Sequence, residues 1–269
     1  MRNAIILGAG RSGTSLLAGL FHGNGYFSGD NLWRATASNP LGYFEDVEIN
    51  SINEDLLDQV APWRPRGIIG ALTPFVRDRP RYSQRWLASL PAGTVIPSTP
   101  SLDGRMAAQT ARRPYLFKDP RFSYTLPSWL PYLAGDTVFL CTFREPQRTV
   151  NSVMKIIREE RYLRDLKISP EKAYEYWQAI YESVLRQRDT ISGEWLFVHY
   201  DELLNGRSIP LLEERLQARA DRTMMQSELA RSTMDGPSVA AADAVFQKLL
   251  VLAEQKYAAV NSVPEISQT

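Results

Sequence analysis

The chain has 269 residues, 44% hydrophobic and 23% charged, with 31 Lys and Arg against 30 Asp and Glu for a formal net charge of +1. These proportions are those of a globular protein long enough to bury a core unaided, and they exclude collagen, coiled coil and extended disorder; the even charge balance argues against a dedicated nucleic-acid binder. One cysteine, Cys141, and two histidines, His22 and His199, leave no disulfide framework, no cysteine zinc site and no multi-histidine metal centre.

Asn3 to Leu7 is short, β-branched and followed by glycines, which predicts a buried strand. Thr14 to His22 has Leu16, Leu17 and Leu20 on one helical face and Gly23 as a stop. The stretch Ala4 to Phe21 is interrupted by Arg11 and by Gly8, Gly10, Gly13 and Gly19, so it lacks the apolar core of a secretion signal. No other segment approaches 18 apolar residues, and the expectation is a cytoplasmic protein with no membrane span. Ser28 to Arg113 is irregular. Within it Glu45 to Val60 has helical spacing, a helix is expected around Tyr82 to Leu90, and the Pro-, Arg- and Trp-rich remainder reads as a variable cap. Trp33, Trp63, Trp86, Phe75 and Tyr82 either line an apolar pocket there or form the core of the cap.

Regular alternation returns with candidate strands at Pro114–Lys118, Thr137–Phe143 and Trp195–Tyr200. Between and after them, helices are expected at Arg148–Arg158, from Ser169-Pro170 onward, and at Ala241–Val260. The charge run Arg158–Lys167 reads as a solvated face. Strands separated by helices predict an α/β fold: a mostly parallel central sheet with helices on both faces, as one domain over residues 1–269 with a mainly helical cap over about 28–113.

Gly8-Ala-Gly-Arg11-Ser12-Gly13-Thr14-Ser15 follows a strand and opens a helix. In that context backbone N–H groups and a helix N-terminus cradle an anion. Gly8 and Gly13 have the spacing of a nucleotide-triphosphate loop, but Thr14 stands where that loop needs lysine, and the cation is Arg11. No strand ends in a magnesium-binding aspartate, so a kinase is the weaker reading.

Arg-Ser-Gly-Thr-Ser-Leu-Leu after a strand resembles the 5′-phosphosulfate loop of the sulfotransferases that use 3′-phosphoadenosine-5′-phosphosulfate (PAPS). The resemblance implies a P-loop-like three-layer fold, and that Arg11, Ser12, Gly13, Thr14 and Ser15 hold the phosphosulfate, with Arg11 stabilising the bridging oxygen. Arg144 and Ser152 stand eight residues apart across a strand end and the next helix, where a guanidinium and a hydroxyl can converge on one anion. The family's 3′-phosphate motif has the same spacing. Lys118-Asp-Pro-Arg121 resembles a motif of tyrosylprotein and many bacterial-type sulfotransferases, which would put Lys118 on the transferring group. Phe197-Val-His-Tyr200-Asp-Glu-Leu-Leu resembles a family strand whose tyrosine lies near the adenine, making Tyr200 a cofactor candidate.

Asn39-Pro-Leu-Gly-Tyr-Phe-Glu45 looks like a bacterial-type segment and supplies the general base, Glu45, with Asp46 or another group as alternatives. Asp119 is flanked by Lys118 and Arg121, which weaken it as a base. The cytosolic eukaryotic enzymes' catalytic histidine and adenine-stacking aromatic have no counterpart; Leu16 and Leu17 occupy the latter's place. The expected reaction is in-line sulfuryl transfer from PAPS to an acceptor hydroxyl, in preference to an amine, leaving adenosine 3′,5′-bisphosphate (PAP), with no metal. The expected partner is a small-molecule, glycan or lipid acceptor and no nucleic acid. The alternatives are a nucleotide or small-molecule kinase and a non-catalytic nucleotide-binding protein.

Overall fold

The computed structural model describes residues 1–36, 38–61, 77–225 and 239–261. Four strands form one sheet: β1 (Ala4–Leu7), β2 (Leu116–Lys118), β3 (Val138–Phe143) and β4 (Glu194–His199). Their order is β2–β1–β3–β4 and every pairing is parallel. The helices, in chain order, are α1 (Thr14–Phe21), α2 (Val47–Asp58), α3 (Pro100–Thr110), α4 (Phe122–Trp129) and α5 (Pro146–Glu159). They continue with α6 (Pro170–Thr190), α7 (Tyr200–Leu204), α8 (Ile209–Leu216) and α9 (Ala240–Asn261). Among the described residues no helix is long and apolar enough to cross a membrane.

Side chains alternate across a strand, and here both faces are apolar. Ala4, Ile6, Leu140 and Val198 meet Leu17 and Phe21 of α1 and Leu212 of α8. Ile5, Leu7, Phe117, Phe143 and Phe197 face the opposite layer, with Ile52 and Leu56 of α2, Trp129 of α4 and Trp177 of α6. A sheet covered on both faces reads as continuous apolar runs, which is why β1 and β3 are legible in the sequence. Cys141 belongs to this core, and burial pushes its thiol pKa up.

Over residues 28–113 the described residues carry α2, α3 and one 3-10 turn within longer irregular stretches, so the expected mainly helical character is not what they show, and α2 is fixed in the sheet's own core. Asp46 caps α2, its Oδ1 accepting from Glu48 N at 2.9 Å and Ile49 N at 3.1 Å. The helix expected around Tyr82–Leu90 contracts to a single 3-10 turn, Arg85–Leu87. Ser83 before it has a left-handed φ of 69°, and Pro91 after it disfavours helical geometry at Leu90. Tyr200 opens α7 instead of ending β4.

Candidate active site

The chain leaves β1 toward β2 on one side and returns later on the other side as β3. The loop after β1 therefore stands at a switch point on the carboxyl edge of the sheet, where ligands of such sheets bind. Gly8 has φ +126°, and a Cβ there would lie 2.3 Å from the Thr142 carbonyl oxygen of β3, so the turn requires glycine. The amides of Gly8, Ala9 and Gly10 donate to Ser123 Oγ (3.0 Å), Tyr181 Oη (3.3 Å) and Tyr176 Oη (2.6 Å). Gly13, at φ 98°, caps α1 with no side-chain hydrogen bond, and a Cβ there would meet Tyr200 Cδ2 at 2.7 Å. The first amides of α1 thus open at the loop, where the helix dipole favours an anion. Ser12 is buried and turned inward, its Oγ 3.3 Å from Thr149 Oγ1 on α5.

Arg11 has a left-handed φ of 72°. Its Nε donates to Ser152 Oγ at 3.0 Å and its Nη2 to the Ser38 carbonyl at 3.1 Å. Burial lowers its pKa. Arg144 follows β3, is buried, and holds its guanidinium carbon 4.5 Å from the centre of the Tyr200 ring. Burial, and next the charge of Arg148, lower the Arg144 pKa. A cleft of about 350 Å³ brings together Arg11, Gly13, Thr14, Ser15, Arg144, Ser152 and Tyr200. Both sequence motifs therefore face one space. Asn151, Lys155 and Arg158 line it as well. The sequence reading missed them, although Asn151, Lys155 and Arg158 recur at i, i+4 and i+7 along one face of α5, and Lys155 stands three residues from Ser152. Leu16 lines the cleft beside Leu204 and Met224, whereas Leu17 is in the core.

A second cavity, of about 590 Å³, adjoins the first and shares Arg11, Thr14, Ser15, Asn39 and Ile156 with it. Glu45 and Lys118 line only this second cavity. They form an ion pair with each other, with the side chains 12% and 3% exposed. Lys118 Nζ also lies 3.3 Å from Ser15 Oγ, and Asn39 Nδ2 donates to the same hydroxyl at 3.2 Å. The two carboxylates weighed as bases thus separate: Asp46 is engaged as a cap, while Glu45 faces the cavity. Asp119 is fully buried, accepting from Asn50 Nδ2 (2.7 Å), Asn53 Nδ2 (2.9 Å) and Arg121 Nη1 (3.0 Å). Arg121 continues to Glu54 at 2.7 Å, and Glu54 to Arg85 at 3.2 Å. Burial alone would lower the Arg121 pKa, but Asp119, Glu54 and Glu45 outweigh it and hold the guanidinium above its ordinary value.

Of the cap aromatics, Trp33, Tyr82 and Trp86 line the second cavity. Trp86 is also packed edge-on against Tyr176, ring centres 6.3 Å apart, so lining and core coincide in one residue. Trp63 and Phe75 lie outside the described residues. Neither histidine reaches the cavity. His22 Nδ1 lies 3.2 Å from Ser28 Oγ, and burial lowers its pKa. His199 lies 3.5 Å from Glu145, at the end of β4. Among the described residues, Glu145, His199 and Asp201 form one cluster of metal-ligand type. Arg148 Nη1 lies between its carboxylates, 3.2 Å from Glu145 and 3.0 Å from Asp201.

Fold and site define the class: a three-layer α/β protein whose glycine loop and second basic motif meet at the carboxyl edge of a parallel sheet. No family model matches the chain, and no curated protein matches it. Among solved structures it is similar to the sulfotransferase domain of the olefin synthase of Synechococcus PCC 7002, at 15% identity and a TM-score of 0.42 over 94% of this chain and 93% of that one. It is similar to the sulfotransferase domain of the curacin biosynthetic pathway, at 12% identity and a TM-score of 0.49 over 93% and 98%. It is also similar to sulfotransferase STF9 from Mycobacterium avium, at 15% identity and a TM-score of 0.43 over 93% and 68%. The likeness lies in the course of the chain.

Proposed function

We propose that this protein transfers a sulfuryl group from PAPS to the hydroxyl of an acceptor. The observation that carries the reading is the sharing of Arg11, Thr14 and Ser15 between two clefts of different chemistry. The smaller has Arg144, Ser152 and Tyr200 on its wall, suited to a 3′-phosphorylated nucleotide. The larger has Glu45 and Lys118 at its junction with the loop. A donor in the first and an acceptor in the second present sulfur and hydroxyl to each other across Arg11, which is the arrangement an in-line displacement needs.

The acceptor oxygen forms a bond to sulfur while the bond from sulfur to the bridging phosphate oxygen breaks. PAP leaves with the electron pair, and the acceptor proton passes to Glu45. Arg11 and the open amides of α1 meet the charge growing on the leaving oxygen, and Lys118 meets the sulfuryl oxygens. The Glu45–Lys118 pair couples these roles, because Lys118 turning toward the sulfuryl group releases Glu45 to accept the proton.

The test is thermal unfolding with PAP against ATP and magnesium. A ligand at about 100 times its Kd adds roughly 2.7 kcal/mol. Stabilisation by PAP alone, with sulfated product from PAPS, is the expected result. Stabilisation by ATP and magnesium alone would make the protein a kinase, and PAP binding without turnover on any acceptor would make it a binding protein.

A further inference from the structure

We infer that Asn39 is a catalytic residue whose side-chain amide donates a hydrogen bond to an oxygen of the sulfuryl group in transit, beside Lys118. The inference rests on the sulfuryl-transfer reading. With a donor in the smaller cleft and an acceptor in the larger, the group that moves stands at the wall they share. That wall is Arg11, Thr14, Ser15, Asn39 and Ile156. Arg11, Thr14 and Ser15 belong to the loop and the start of α1, and Ile156 is apolar. Among the described residues, Asn39 is therefore the one polar side chain that reaches this wall from elsewhere in the chain.

The side chain already points at the junction. Asn39 Nδ2 donates to Ser15 Oγ at 3.2 Å, and Lys118 Nζ lies 3.3 Å from the same oxygen. Ser15 sends its own proton to the Tyr43 carbonyl at 3.4 Å. Two nitrogen donors, one from the turn at Asn39 and one from the end of β2, thus converge on a single oxygen. Among the described residues Nδ2 has no second acceptor. An amide nitrogen carries two hydrogens, so one remains for a ligand. The main chain beneath is fixed. Asn39 N donates to the Thr36 carbonyl at 3.0 Å, and the Asn39 carbonyl accepts from Thr36 N at 3.3 Å and Gly42 N at 3.1 Å. The adjacent Ser38 is held twice, its Oγ donating to Glu160 at 2.6 Å and its carbonyl accepting from Arg11 Nη2 at 3.1 Å. A donor on such a turn is in place before the ligand arrives, and that is when hydrogen bonds to a reacting group count most. No bond is made or broken at Asn39. The acceptor oxygen bonds to sulfur, the bond from sulfur to the bridging oxygen breaks with its electron pair going to PAP, and the acceptor proton goes to Glu45. The three sulfuryl oxygens stay on sulfur. Asn39 donates to one and Lys118 to another, which keeps sulfur in line between the attacking and leaving oxygens.

The experiment titrates the whole protein in a calorimeter, without acceptor, with PAPS and with PAP, which differ only by the sulfuryl group. Wild type is compared with Asn39→Ala and with Asn39→Asp, which keeps the shape of the side chain and so guards against a folding defect in the first variant. In Asn39→Ala, PAPS should bind roughly 2- to 12-fold more weakly with PAP unchanged. In Asn39→Asp the loss should be larger and again fall mainly on PAPS, because a carboxylate repels the sulfuryl oxygens. With any acceptor that wild type sulfates, kcat of Asn39→Ala should fall about 10²–10³ at saturating PAPS. Equal weakening of PAPS and PAP would make Asn39 a support for Ser15 and overturn the inference, as would a PAPS affinity equal to wild type. If wild type binds both nucleotides and only this selectivity fails, the inference alone falls. If wild type binds neither, the sulfuryl-transfer reading falls and takes the inference with it.

Discussion

Arg11 Nε donates to Ser152 Oγ at 3.0 Å across 141 residues of chain. The two residues come from separate motifs, one in the loop after β1 and one on α5. The resemblance assigns them to opposite ends of the nucleotide, yet they touch. Ser152 is therefore both a candidate phosphate ligand and, with the Ser38 carbonyl, one of the two acceptors that hold Arg11 in place.

Arg144→Ala should separate the ends of the donor. A charge-assisted contact is worth about 1.5–3 kcal/mol, so PAPS should bind roughly 10- to 150-fold more weakly. Adenosine 5′-phosphosulfate, which lacks the 3′-phosphate, should bind as before. Calorimetric titration of both ligands decides, and equal weakening removes Arg144 from the 3′-phosphate.

Ser152→Ala should behave differently because of its bond to Arg11. Binding of PAPS should weaken, and kcat should fall as well, since Arg11 loses one of the two acceptors that orient it. A kcat equal to wild type at saturating PAPS would make the Arg11–Ser152 contact incidental. Arg11→Ala should lose about 10²–10³ in kcat while still binding PAP.

Glu45→Gln keeps the shape of the side chain and removes its basicity. Turnover should fall about a hundredfold or more with PAP affinity intact. Lys118→Ala should lose about 10²–10³. Because the two side chains are paired, the double variant should lose less than the product of the single losses. Asp46→Asn is the control: as a cap it should lower stability by about 0.5–2 kcal/mol and spare kcat. Additive losses in the double variant, or a turnover loss confined to Asp46→Asn, would place the proton elsewhere.

Acid sensitivity should register at Glu145. Burial alone would raise its pKa, but the hydrogen bond with His199 and the nearby charges of His199 and Arg148 bring it down to about 2 from an ordinary 4.5. A carboxyl whose folded pKa is depressed contributes stability that is complete above the unfolded value and is lost as pH falls through the folded value. Glu145→Gln should therefore be less stable than wild type above pH 4.5, and the difference should fade toward pH 2. Solvent near the group keeps its amplitude below the full conversion of that shift. Urea midpoints at a series of pH values measure it, and a difference independent of pH would contradict the assignment.

The sheet was legible because β1 and β3 are apolar on both faces, and the glycine loop because it stands between strand and helix. Helix α4 was hidden by Pro127, which reads as a breaker but sits inside the element. Helix α3 was hidden in a Pro- and Arg-rich stretch, although Thr99 caps it and Pro100 opens it. Within the site, Arg11, Arg144, Ser152 and Tyr200 were readable by motif, and the structure brings them to one cleft. The Glu45–Lys118 pair was not readable as a pair, since 73 residues separate its members. Nor was the chain Asp119–Arg121–Glu54–Arg85, because spacing along a sequence does not encode which buried charges will neutralise one another.

The hydroxyls of Ser123, Tyr176 and Tyr181 that receive the first loop amides have a thermodynamic consequence. They fasten the front half of the loop to α4 and α6, so its curvature is built into the folded protein and does not wait for a guest. A loop that arrives already shaped has little backbone freedom left to surrender, and the favourable contacts made on association go mostly to affinity instead of to ordering. Replacing Tyr176 and Tyr181 by phenylalanine would move that ordering step into the association itself, to be seen as a less favourable entropy of PAP binding with the contacting residues unchanged.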